Sequence, residues 1–236
     1  GEAEAARGGD ARPHVQSGLA DYAEALKRNP ASIAVLVNRN NAWLSLGEAD
    51  AVRGVDPRAW YRKAITGFEE ILIRAPDHAM ARVALAEAWS TLGTSDAERG
   101  IDPCASYLRA IALCGEALKT DPGHAFACYA RGISHHRLGM AEEVRGLDPR
   151  PSYARAIADH GACLERTPAF ATAWQQRGLA QVSQGAAESR RGLDPLASYA
   201  KAIADYEEAW KLDPEFANAH ADLGNAYLSR GEAEAV

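Results

Sequence analysis

The sequence predicts an all-α solenoid of antiparallel helix pairs, built from about five copies of a 46-residue unit. Three observations lead there: a strict internal period, an apolar content dominated by alanine, and chemistry for starting and stopping two helices in every copy. The period is the strongest. Gly54-Val55-Asp56-Pro57 recurs as Gly100-Ile101-Asp102-Pro103, Gly146-Leu147-Asp148-Pro149 and Gly192-Leu193-Asp194-Pro195, each 46 residues on, and a degenerate copy, Gly8-Gly9-Asp10-Ala11, sits one step earlier. Tyr61, Tyr107, Tyr153 and Tyr199 keep the same register, as do Ile65, Ile111, Ile157 and Ile203, and Pro30, Pro76, Pro122, Pro168 and Pro214. Units of this kind hide their apolar faces only against neighbouring copies. Hydrophobic residues make up 47% of the chain and aromatics only 7%, a mixture that suits close-packed helices better than a β-sandwich. One array is expected over residues 1–236: a second-helix half at 1–29, full units at 30–75, 76–121, 122–167 and 168–213, and a first-helix half at 214–236.

Within a unit the second helix has the clearer start. Asp56 can cap free backbone N–H groups, and Pro57 fits the first helical position, where no N–H is needed. Its apolar residues then fall at helical spacing, as in Ile65, Phe68 and Leu72, or Ile203, Tyr206 and Trp210. Asn29, Asp121, Thr167 and Asp213 precede the recurrent prolines and are expected to cap the first helix of the next unit. That helix carries a small residue at a recurrent crossing point: Ala86, Gly132, Gly178 and Gly224, with Asn40 in the equivalent place. Small side chains there let two backbones approach closely.

The segment Asp213-Pro-Glu-Phe-Ala-Asn-Ala-His-Ala-Asp-Leu-Gly-Asn-Ala-Tyr227, followed by Gly231, resembles the first helix of a tetratricopeptide repeat. Tyr199-Ala-Lys-Ala-Ile-Ala-Asp-Tyr-Glu-Glu-Ala-Trp-Lys-Leu-Asp-Pro214 resembles the second. The likeness runs the length of the chain and implies a right-handed superhelical stack that binds other proteins. The departure is the unit length, since the usual repeat has about 34 residues. The extra dozen lies between the two helices, as in Gly47-Glu-Ala-Asp-Ala-Val-Arg-Gly-Val-Asp-Pro-Arg58. Either the first helix stops at Gly47, Gly93, Gly139 and Gly185 and a loop follows, or it runs on to Gly54, Gly100, Gly146 and Gly192. The second reading is favoured. An internal glycine costs only about 1 kcal/mol against alanine. The intervening residues are mostly helix formers, and Arg53, Arg99, Arg145 and Arg191 suit a helix C-terminus. The glycine after each arginine suits a left-handed cap. The extension then forms a ridge whose recurring Arg and Asp pair within or between units, weakly because they are solvated.

Several classes of function are disfavoured. A net charge of −6 and a pI near 5.7 speak against a nucleic-acid partner, and no basic run is longer than Arg190-Arg191. No uncharged apolar stretch nears the roughly 18–20 residues of a membrane span. The acidic start, Gly1-Glu2-Ala3-Glu4, is unlike a signal peptide; a cytoplasmic location is expected by default only, since a longer native chain could carry a signal ahead of it. No phosphate loop, dinucleotide fingerprint, zinc-protease motif or nucleophile elbow occurs, and no enzyme activity or cofactor is expected. Cys104, Cys114, Cys128 and Cys163 match no metal or redox spacing. Cys114, Cys128, His135, His160 and Cys163 replace core residues in the middle units, with His135 and His160 expected to face one another. Packed core residues explain them better than a metal site.

By the resemblance, first helices line a concave face along which a protein or peptide lies. The residues implied for that groove are Met80, Val83, Glu87, Phe126, Tyr129, Ile133, His136, Arg137, Thr172, Gln175, Leu179 and Val182, continued by Asn218 and Asn225. Some family members grip a peptide carboxylate with Lys, Arg and Asn at these places. Here they are mostly apolar or neutral, Arg137 aside, which suits a helix or an extended apolar peptide. The chain starts in one half-unit and stops in the complementary half. Either it is a fragment of a longer array, the safer expectation, or the two ends meet between molecules, and head-to-tail self-association through uncapped ends is the alternative expectation.

Overall fold

The computed structural model describes residues 12–215 and 217–235, so the degenerate repeat at Gly8-Gly9-Asp10 lies outside the described residues. Ten α-helices and no strands occur among them: α1 (Arg12–Arg28), α2 (Ile33–Val52), α3 (Arg58–Arg74), α4 (Ala79–Ala97), α5 (Cys104–Thr120), α6 (Ala125–Val144), α7 (Arg150–Arg166), α8 (Ala171–Ser189), α9 (Leu196–Leu212) and α10 (Ala217–Glu234). The helices fall into two compact units that divide within α5, between Leu113 and Cys114. In the first unit α1 packs on α2, α2 on α3 and α3 on α4. In the second unit α6, α7, α8, α9 and α10 pack each on the next, and the first helices α6, α8 and α10 also touch in turn. Short connections between sequential neighbours make each pair antiparallel.

The first helix of each pair runs straight through its internal glycine. Gly47, Gly93, Gly139 and Gly185 are helical, and termination falls at Gly54, Gly100, Gly146 and Gly192, whose φ angles of 73°, 70°, 72° and 69° lie in the left-handed region. The next residue then returns its N–H to a carbonyl inside the helix: Val55 to Asp50 (2.9 Å), Ile101 to Asp96 (2.9 Å), Leu147 to Glu142 (2.8 Å) and Leu193 to Glu188 (3.0 Å). This six-to-one bond satisfies a carbonyl that the helix end would otherwise leave open, and only glycine enters it without steric cost. The aspartate that follows starts the second helix. Asp56, Asp102, Asp148 and Asp194 each accept from the backbone N–H two residues on, at 3.1, 3.0, 3.2 and 2.9 Å.

The expected caps of the first helices are corrected. Asn29, Asp121 and Asp213 close tight turns by accepting from Ala31, Gly123 and Glu215. Thr167 donates back to the Cys163 carbonyl of its own helix. The helices begin some residues later, at Ser32, His78, His124 and Phe170. His78 and His124 cap through Nδ1, which accepts from the backbone of Ala81 and Ala127 at 3.1 Å each. The proline two places before each histidine puts a turn between the preceding residue and the helix, which the sequence pattern alone does not reveal.

Glycines on the first helices set how closely the paired helices approach, one in every pair and a second in two of them. A Cβ on Gly47, Gly93, Gly139 or Gly185 would stand 2.3, 2.7, 2.5 or 2.7 Å from the ring of Tyr61, Tyr107, Tyr153 or Tyr199. Each tyrosine is buried, and it fits only because its partner has no side chain. One notch further along, Gly132 receives the His160 ring and Gly178 the Tyr206 ring, so these two crossing-point glycines act as expected. Gly224 does not, for nothing lies within 4 Å of its Cβ position. Trp210 also departs from the core stripe: it is 43% exposed and tilts against His220, with ring centroids 5.6 Å apart.

Ridge charges pair between successive repeats, as well as locally. Arg12 reaches Asp50 (3.4 Å) and Arg58 reaches Asp96 (3.3 Å), while Arg99 approaches Asp56 (3.6 Å) and Arg191 approaches Asp148 (3.5 Å). Arg58 and Arg150 also clasp the Asp56 and Asp148 of their own turns, and those hydrogen bonds hold both carboxyls well below their ordinary range.

Candidate functional site

In the second unit the first helices present a continuous side chain row on one face. On α6 it comprises Phe126, which is 55% exposed, then half-buried Tyr129, Ile133 and Arg137. Their spacing of three or four residues places them on one side of a helix. Phe170, at the start of α8, lies between them: its ring centroid is 5.9 Å from Phe126 and 5.0 Å from Tyr129. The result is a partly solvated aromatic cluster; on α8 Thr172 and Leu179 are half-buried, and half-buried Val182 packs against the core of Ala202, Ile203, Tyr206 and Ala226. Asn218 and Asn225 are exposed on α10.

Other residues expected in the groove serve the stack instead. His136 is buried, and its Nε2 lies 2.9 Å from Ser183 Oγ on the next first helix. Gln175 is buried too and donates to Asp222 at 2.8 Å, again one repeat on. Val83 of the first unit is buried, whereas Met80 and Glu87 are exposed.

The histidine and cysteine group resolves into separate core residues. All four cysteines are buried free thiols. His160 is fully buried between Gly132 and the Tyr129 ring, 5.6 Å between centroids, and neither ring nitrogen has a hydrogen-bond partner. His135 does not meet it. His135 turns its Nε2 toward Asp159 Oδ2 at 3.9 Å, and His136 is the histidine near enough to disfavour a proton on His160. Burial pushes the imidazoles of His135 and His136 down to about 4 and that of His160 down to about 3. Among the described residues, no three His, Cys, Asp or Glu side chains converge as a metal-binding group.

Sequence reasoning missed a cleft of about 580 Å³ in the first unit, between α2 and α3. Arg39, Trp43, Arg62, Lys63, Thr66 and Glu70 line it, and the Arg39 guanidinium lies 4.5 Å from the centre of the Trp43 ring. The signal was available in the repeat register, where Gly67 stands at the position that holds Asp159 and Asp205 in later repeats.

Paired helices in tandem, locked by small residues at fixed crossings and carrying a side chain row on the first helices, define a repeat array of the tetratricopeptide class. Residues 198–231 match the family model for the TPR repeat. Solved structures share the fold. TTC0263, a thermophilic TPR protein in Thermus thermophilus, is 19% identical with a TM-score of 0.61, over 92% of this chain and 93% of that one. Human IFIT1, solved as a dimer with m7Gppp-AAAA, is 18% identical with a TM-score of 0.58, over 93% of this chain and 44% of that one. The MamA RS-1 ArsTM double mutant is 19% identical with a TM-score of 0.50, over 83% and 88%. No curated protein sequence matches. The chain has the fold of a tetratricopeptide-repeat array, with a unit lengthened to 46 residues by extending the first helix through its internal glycine. No helix among the described residues is long and apolar enough to cross a membrane.

Proposed function

We propose that the chain is a non-catalytic, cytoplasmic scaffold that binds a protein or peptide along the side chain row of its first helices, rather than a nucleic acid or a membrane. The observation that carries this reading is the exposed aromatic cluster of the second unit. A phenylalanine more than half exposed, beside Tyr129 and Ile133, is costly to leave in water and suits an apolar side chain of a helical or extended peptide. Aromatic anchors of this kind contribute a large share of binding energy where they are found. Arg137, Thr172, Leu179, Val182, Asn218 and Asn225 belong to the same proposed surface, with His136 and Gln175 shaping it from beneath. In the first unit Met80 and Glu87 are the proposed contact residues, and Val83 supports them from the core. Selection of a displayed peptide library on the purified chain tests this. Retained peptides should lose at least tenfold in affinity for Phe126→Ala/Tyr129→Ala, with the helical signal unchanged. Equal affinity for that variant refutes the surface.

A second reading, head-to-tail self-association, draws on α10. Leu228 is 67% exposed at the position where His136 is buried against the next first helix. Light scattering distinguishes the two: growth in mass with concentration that Leu228→Glu abolishes favours association, and a constant monomer mass excludes it.

A further inference from the structure

Arginine recurs at one place on the first helices, as Arg39, Arg131 and Arg177, and leucine takes that place at Leu85 and Leu223. The second helix answers in kind. Arg131 Nε donates to Asp159 Oδ2 at 2.9 Å with a second bond alongside, and Arg177 holds Asp205 through two bonds of 2.7 Å. Both aspartates are buried, so each pair is charge met by charge in a desolvated setting. Leu85 has its counterpart in Leu113, at the register position of those aspartates, and both leucines are buried. Arg39 alone meets a glycine, Gly67. Asn40 occupies the room an acidic residue would need, since a Cβ on Gly67 would stand 2.3 Å from Asn40 Oδ1.

Arg39 is consequently under-compensated. Its side chain is only 20% exposed, yet its anionic neighbour Glu70 lies 3.9 Å away and is itself half in solvent. Its hydrogen bonds go to the neutral Asn40 oxygen at 3.3 and 3.2 Å. Burial lowers its pKa, which Glu70 only partly offsets and Arg74 aggravates. Beside Arg39 lies the 580 Å³ cleft described above, where Arg39, Arg62 and Lys63 outnumber Glu70 in a chain of net charge −6. On the other side of Arg39 and Trp43 a hollow of about 480 Å³ opens toward α1, with Leu19, Ala23 and Leu26 on its wall.

We infer that this cleft receives the aspartate or glutamate side chain of a partner peptide, giving Arg39 the carboxylate that Asp159 and Asp205 give Arg131 and Arg177, while a neighbouring aliphatic side chain enters the α1–α2 hollow. The planar bidentate pairing is set by the two later repeats and favours carboxylate over phosphate. The adjoining apolar hollow favours a peptide over a small free acid. None of the first-helix groove residues lines either cavity, so this inference stands apart from the surface proposed above.

The test follows the Trp43 indole N–H by NMR in the intact chain, assigned with Trp43→Phe. The probes are the capped peptide acetyl-Gly-Leu-Asp-Leu-Gly-amide, its asparagine counterpart, succinate and inorganic phosphate. The aspartate peptide is expected to shift the signal saturably and the asparagine peptide to bind at least tenfold more weakly. Arg39→Leu, which reproduces the residue at Leu85, should lose at least tenfold, and Lys63→Glu, on an exposed residue, should lose severalfold. Both variants should keep the wild-type helical spectrum, and Phe126→Ala should leave this binding unchanged. No response to the aspartate peptide, equal binding of the asparagine peptide, or Lys63→Glu at wild-type affinity overturns the inference. Succinate or phosphate binding as tightly as the peptide overturns the assignment to a peptide side chain.

Discussion

Replacing His160 with phenylalanine should make the second unit more stable and less sensitive to acid. His160 is fully buried with both nitrogens unsatisfied, and its register equivalents Phe68 and Tyr206 are buried aromatic rings without a titratable imidazole. An unmet buried polar group costs roughly 1–3 kcal/mol, so a gain of that order is expected at pH 7. The acid term follows from proton counting. His135, His136 and His160 have folded pKa values of about 4, 4 and 3, below the ordinary 6.5, so the folded chain binds fewer protons than the unfolded chain as pH falls. The stability they contribute is complete above pH 6.5, is lost progressively below it, and is exhausted near the folded values. At about 1.4 kcal/mol per unit of pKa difference, each histidine removes about 2 kcal/mol by pH 5, or about 6 kcal/mol for the three. His160→Phe should reduce that loss by about one third. Urea titrations followed by far-ultraviolet circular dichroism at pH 7.5, 6 and 5 measure it. Carboxylates titrate alike in both proteins and cancel in the difference. A variant whose midpoint falls with pH as steeply as the wild type would refute the account of His160 as a buried neutral ring.

The glycine wedges predict opposite signs for one substitution. Gly139→Ala drives a methyl into the Tyr153 ring and should cost about 1–3 kcal/mol by thermal melting, whereas Gly224→Ala, with open space at its Cβ, should gain about 0.5–1 kcal/mol. Gly146→Ala should cost about 1 kcal/mol or more through its left-handed backbone alone, with no steric contact to blame. Arg177→Leu strands the buried Asp205 and should cost about 3 kcal/mol, while Arg177→Leu/Asp205→Leu, copying Leu85 and Leu113, should return to within about 1 kcal/mol of wild type. Equal denaturation midpoints for the single and double variants would rule that pairing out.

Much of the scaffold was readable before any coordinates, because repetition turns each residue into several observations. The left-handed glycines, the aspartate turns and the continuous first helix follow from the Gly-aliphatic-Asp-Pro run and the helix formers before it. The caps were not readable. Asn29, Asp121 and Asp213 look like helix starters in sequence, but a turn at the following proline intervenes; after Asp121 the cap falls to His124, and His78 caps in the repeat where Ala75 could not. The groove was half legible: periodicity identifies which helix faces outward, but a shift of one residue separates half-buried Arg137 from buried His136, and residue type does not resolve it. The cleft beside Arg39 is not legible in the period, because Gly67 matters by failing to recur.

The tyrosine seated on an internal glycine has a further consequence for how the chain tolerates breakage. Both partners belong to the same helix pair, fourteen residues apart, so each pair carries its own alignment key and owes nothing of its register to the hairpin tip between them. Lengthening that tip, grafting a foreign segment into it, or nicking it with a protease should leave the two rods seated against one another. Each tip is thus a port at which a passenger should be insertable while its own helix pair keeps its register.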